Sequence, residues 1–141
     1  MSYPPPLYHG ETGERTATLR PASDGPELAY RSGGRVHYLA TGASTKGEFG
    51  RYRWDFGPTS TGPDPHFHRS ISESFFVLSG AVNLFDGNRW AQARQGDFLF
   101  VPEGAGYTRS TTSRKKNAQL ALCPPHAAIP PEGAPQWLDP F

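Results

Sequence analysis

The sequence predicts an all-β fold, and three observations carry that reading. Its 141 residues include 16 glycines and 15 prolines, a spacing of turn formers that favours short strands over long helices. No apolar stretch of helical period runs for about 12 residues without a Gly or Pro break. Eight or more short strand-like segments remain between those breaks. One domain is expected at this length, able to bury roughly two thirds of its unfolded surface without staples.

Taken in order, residues 1–14 are rich in Pro, Gly and polar side chains and read as an arm. Over 15–20, Thr16 and Thr18 alternate with Ala17 and Leu19, as in an edge strand. Residues 21–34 carry the Pro, Asp and Gly of a loop, and 36–39 read as a strand. Within 48–56, Tyr52, Trp54 and Phe56 share one face of a strand, and Arg51, Arg53 and Asp55 the other. Three prolines mark 57–65 as a loop. Strands follow at 73–79 and 81–85, separated only by Gly80. Asp86-Gly87 is a hairpin signal, with the returning strand at 89–93 and Trp90 packed near the turn. Strands at 97–101, 107–111 and 118–122 complete the set. The six prolines of 124–141 predict a wrapping or partly disordered tail. With no repeat and no linker, 1–141 is one domain, and its strands suit a sandwich or a closed double-sheet roll.

Charge excludes some partners. Fourteen basic and 13 acidic residues leave a net charge of +1, without the basic stripe that nucleic-acid binding requires. The one charge run, Arg114-Lys115-Lys116, sits among Ser, Thr and Asn and reads as a solvated loop tip. The single cysteine, Cys123, excludes an intrachain disulfide and follows an apolar run, as a buried thiol does; His126 is the only local base for a reactive one. No apolar run approaches a membrane span, and the Pro-rich start lacks the regions of a signal peptide, so a cytoplasmic protein is expected.

The chemistry concentrates in His66-Phe67-His68-Arg69-Ser70-Ile71-Ser72-Glu73. Two histidines at i and i+2 on extended chain project from one face. Imidazole nitrogen and carboxylate oxygen together suit divalent transition metals. Glu73 then opens a strand whose same face carries Phe75 and Val77, and a carboxylate on an apolar inward face must meet a proton, a cation or donors.

This stretch resembles the first motif of the cupin superfamily: His-x-His, three or four residues, Glu, six residues, Gly. Four residues separate His68 from Glu73, and six separate Glu73 from Gly80. The motif's leading glycine falls at Ser60, with Gly62 close by. Gly96, Pro102 and Gly104 match the second motif in identity and spacing, while Tyr107 stands where that motif has its histidine and Thr111 where it has its asparagine. The resemblance covers about residues 35–123, is narrowest toward small bacterial quercetinase-like cupins, and implies a double-stranded β-helix, or jelly roll. It implies a site location rather than a reaction, since that group includes flavonol dioxygenases and polyketide cyclases.

The resemblance further implies a metal set reduced to His66, His68 and Glu73. Two histidines and one carboxylate with open positions suffice for non-haem iron chemistry, and Mn, Ni or Zn also suit these donors. Tyr107 is open to four readings: a ferric phenolate ligand, a hydrogen-bond donor to substrate or oxygen, an acid or base, or a filler where a metal has been lost. His37 is a further candidate, as substitute ligand, as base or as structural histidine; His9 and His126 lie in Pro- and Gly-rich ends without an assigned role. Tyr52, Trp54 and Phe75 are candidate pocket walls, with Arg53 a substrate contact if its face is the inward one.

The expected function is therefore a metal-dependent cupin enzyme that oxygenates, isomerises or cyclises an aromatic or polyketide-like substrate, with Tyr107, Glu73 and His37 the catalytic candidates. The alternatives are a metal-free cupin enzyme and a non-catalytic ligand-binding cupin. Strands apolar on both faces, as at 75–78 and 98–101, point to a homodimer formed by sheet packing.

Overall fold

The computed structural model describes residues 5–57, 65–106, 108–112 and 119–122 of the chain. Of the positions singled out above, Ser60, Gly62, Tyr107, the 114–116 run, Cys123, His126 and the 124–141 tail lie outside the described residues. Among the described residues there are nine strands and no helix, hence none long and apolar enough to cross a membrane. The strands are β1 (Leu28–Ala29), β2 (Arg35–Ala40), β3 (Arg51–Asp55), β4 (Glu73–Ser79), β5 (Ala81–Phe85), β6 (Trp90–Arg94), β7 (Phe98–Val101), β8 (Thr108–Thr112) and β9 (Gln119–Leu122).

They form two antiparallel sheets. One has six strands in the order β1-β2-β3-β9-β4-β7, the other three in the order β6-β5-β8. Strand β9 thus returns from the chain's far end to fill the gap between β3 and β4, and this non-sequential pairing makes the fold a roll rather than a meander.

The register decides which face is which. Tyr38, Tyr52, Leu122, Phe75 and Leu99 stand in one cross-strand row of the large sheet, and Val36, Trp54, Leu120 and Val77 in the next. Val36, Tyr52, Phe75, Val77 and Val101 from this sheet, with Phe56 just after β3, are buried with Val82 and Leu84 from β5, so β2, β3, β4 and β7 turn this face inward and the core lies between the sheets. By strand alternation, Arg35, His37, Arg53, Asp55, Phe76, Phe98 and Phe100 belong to the other, outward face.

The Asp86-Gly87 turn holds the β5–β6 hairpin as expected. The Asp86 side chain accepts the Asn88 and Arg89 amides, both at 2.9 Å, and Trp90 pairs with Phe85 across the hairpin, ring centroids 5.4 Å apart. Residues 15–20, expected as an edge strand, form none. Leu19 is 85 % exposed, so the alternation there has no apolar face to bury. Arg20 instead ties the chain down by donating to the Gly25 carbonyl and the Glu27 carboxylate, both at 2.8 Å. The expected 21–34 loop contains β1, and Glu27 just before it accepts the Tyr38 amide of β2 at 2.7 Å.

Candidate metal centre

His66 and His68 lie on the extended segment that leads to β4, and alternation sends Phe67 outward, where it is half-exposed, while the two imidazoles turn in. Their rings meet edge to face with centroids 5.0 Å apart. Glu73, the first residue of β4, is 1 % exposed and places Oε2 3.6 Å from His68 Nε2. One donor atom from each of the three residues lies within 4.8 Å of the others.

That geometry and chemistry fit a metal. Nitrogen and oxygen donors at ~2.0–2.2 Å from a common ion stand no more than about 4.4 Å from one another. The three donors, within 4.8 Å of one another, stand close to that spacing. A carboxylate this deeply buried needs positive charge or donors beside it, and the two imidazoles frame the place where a cation would supply it.

Inward-facing aromatics of the core lie on the strands beside this set. Phe75, the next inward residue after Glu73, is buried. Tyr52 is fully buried and its ring packs edge-on against Tyr38, 5.2 Å away at 88°. A Cβ on Gly50 would stand 3.0 Å from the Tyr52 hydroxyl, so the phenol lies back over Gly50. Because β3 and β4 run in the same direction, with Tyr52 and Phe75 both opposite Leu122 of β9, the Tyr52 phenol leans toward the end of the sheet at which Glu73 opens β4. Burial, with a smaller contribution from neighbouring Tyr38, pushes the Tyr52 phenol up to about 12, so it stays neutral near pH 7. Burial and then the Glu27 carboxylate also raise Tyr38. Trp54 lies one row further from Glu73, stacked on Phe56 at 5.4 Å and 4°.

His37 and Arg53 are not brought to this cluster. They face each other on the outward side of β2 and β3, with Arg53 Nη2 2.9 Å from His37 Nε2. Arg53 also donates to both Asp55 oxygens, at 3.1 and 3.2 Å, and Asp55 Oδ2 lies 3.3 Å from His37 Nε2. A nearly buried histidine is thereby matched by a polar cluster outside the barrel. Tyr38 was invisible as a site residue in the sequence, because only the cross-strand register sets it beside Tyr52.

A two-sheet antiparallel roll with an inward His, His and Glu set defines a barrel of the jelly-roll class. More narrowly, the chain belongs to the Cupin domain family, whose sequence profile matches residues 52–122. A search of the curated proteins returned no match. Among solved structures the chain is similar to KdgF from Halomonas sp., at 15 % identity and a TM-score of 0.58, covering 70 % of this chain and 85 % of that one. It is similar to the polyketide cyclase RemF from Streptomyces resistomycificus, at 20 % and 0.57, covering 65 % of this chain and 64 % of that one. A predicted oxalate decarboxylase from Thermotoga maritima aligns at 16 % and 0.66, over 78 % of this chain and 99 % of that one. These likenesses establish the fold.

Proposed function

We propose that this cupin is a small-molecule enzyme whose barrel holds one mononuclear divalent metal through His66, His68 and Glu73. The observation that carries the reading is the convergence of three donor atoms within 4.8 Å around a buried carboxylate. Fe, Mn, Ni and Zn all suit these donors, and such a metal supplies Lewis-acid or oxygen-activating chemistry when bound. The chain's own residues bind and orient the substrate. Phe75, Tyr52 and Trp54 are apolar walls for a flat, oxygenated aromatic or polyketide-like compound, with the neutral Tyr52 hydroxyl a donor to its oxygen. By its motif position Tyr107 is the polar group beside the open coordination positions. The reaction is an oxygenation, isomerisation or cyclisation, a range that includes the activity in the name of the polyketide cyclase among its fold relatives.

The test is metal content by mass spectrometry on untagged protein, before and after soaking with iron, manganese, nickel and zinc. Near-stoichiometric metal that disappears in His66→Ala is expected; no uptake under any condition would overturn the reading. One sequence feature favours a second reading. Tyr107 in place of the motif's histidine suits a metal-free enzyme of cyclase type, using acid–base or shape-driven catalysis, and equal turnover with and without chelator would select it.

We also propose that the working unit is a homodimer joined through the outward face of the large sheet. Phe76, Phe98 and Phe100, on the adjacent strands β4 and β7, are 41 %, 64 % and 57 % exposed on that face. At ~200 Å² per phenyl side chain they leave on the order of 300 Å² of aromatic surface in water. That lies within the range of the largest apolar patch on a typical monomer, about 300–600 Å², which is often functional, and it would supply the centre of an interface needing ~800 Å² from each partner.

A further inference from the structure

The turn that follows β7 touches both ends of the ligand segment without supplying a ligand to it. Val101, the last residue of β7, pairs with Glu73. Three residues on, the Gly104 amide donates to the His68 carbonyl at 2.8 Å. The turn is closed internally by the Ala105 amide on the Pro102 carbonyl at 3.2 Å, with Gly104 in the left-handed region at φ +76°. The tip of the β5–β6 hairpin backs the same turn, since a Cβ on Gly87 would stand 2.5 Å from the Gly106 carbonyl oxygen.

Between His68 and Glu73 the chain runs through residues 69–72 without helix or strand, so no local ladder sets the distance between the two ligands. The turn does, because it is joined to Glu73 through β7 at one end and to the His68 backbone at the other. We propose that Gly104 is a positioning residue whose amide, presented by a left-handed turn, sets the separation of His68 and Glu73 and with it the affinity of the site for a divalent metal. The proposal rests on the metal reading above.

Gly96 provides a matched control. Its φ is +91°, an added Cβ would meet nothing within 4 Å at either Gly96 or Gly104, and its amide bonds Val77 in the turn between β6 and β7 rather than the ligand segment. Alanine at either position therefore imposes the same kind of backbone strain, whereas asparagine tolerates the left-handed region. The experiment is titration of Gly104→Ala, Gly104→Asn and Gly96→Ala with Co²⁺, reading the dissociation constant, the visible spectrum of the bound ion and the melting temperature. Gly104→Ala is expected to weaken cobalt on the order of tenfold, as loss of a ligand's supporting partner does, and to alter its spectrum. Gly104→Asn should keep the wild-type constant and spectrum, and Gly96→Ala should lower the melting temperature while leaving both unchanged. Unchanged cobalt binding in Gly104→Ala, or equal weakening in Gly96→Ala, would overturn the proposal. Should the wild-type protein take up no cobalt, the metal reading falls, and histidine-ring NMR of the same variants decides the brace. Displacement of the His68 resonances in Gly104→Ala alone supports it, and displacement in both alanine variants or in neither overturns it.

Discussion

Glu73 is the residue on which the site turns. It sits on a face otherwise given to Phe75 and Val77, where a charge is costly unless matched. Glu73→Ala should lower metal affinity and activity together, while Tyr107→His should tighten metal binding by refilling the motif's ligand set; isothermal titration with Zn²⁺ or Mn²⁺ checks both. Glu27 makes a pH prediction. Burial alone would raise its carboxyl, but the Tyr38 amide and the Arg20 guanidinium outweigh that and hold it below the usual carboxylate range. Its folded value is thus below its unfolded one, so its contribution to stability is complete above the unfolded value and fades as pH falls through the folded one. Melting curves between pH 7 and 3 should show that loss, and Glu27→Gln should flatten it. Tyr52 has the opposite sign. With the folded phenol at about 12 against an ordinary 10, stability falls as pH rises through that interval, and Tyr52→Phe should remove one late-titrating phenol from the ultraviolet titration. The His66, His68 and Glu73 set was legible at this scale because all three candidate ligands fall within eight consecutive residues whose pattern resembles the first cupin motif. Tyr38 and Gly104 were not, because each matters only through a partner distant in the chain.

At the scale of elements, most strands were legible because alternation and turn residues act locally. The Asp86-Gly87 hairpin and the strands at 73–79 and 81–85 stand where the sequence predicts them. Residues 15–20 show the limit of that reasoning, since alternation makes a strand only where a neighbour supplies hydrogen bonds and a core to cover one face. The opposite error was open at β3, where either face could be the inner one. The full burial of Tyr52 resolves it, leaving Arg53 with His37 and Asp55 outside. On this assignment Phe75→Ala, on the inner face of β4, should cost ~3–5 kcal/mol in chemical denaturation. Phe76→Ala, one residue on and 41 % exposed, should cost far less in the isolated monomer.

At the scale of the molecule, β4 and β7 are apolar on both faces. The inward face fills the barrel, and the outward Phe76, Phe98 and Phe100 are the surface on which the homodimer proposal rests. Phe98→Glu should convert a dimer into a folded monomer by light scattering at micromolar concentration; a wild-type protein already monomeric there would remove the dimer. The sequence by itself determined that this is an all-β cupin with a His, His and Glu set, since composition, turn chemistry and ligand spacing are local properties of the chain. Only the tertiary structure decided which face of each strand looks inward, that His37 and Arg53 stand outside the barrel, and that Gly104 reaches His68. The reason is that strand register and the insertion of β9 between β3 and β4 are set by contacts among segments far apart in the chain, which local spacing does not encode.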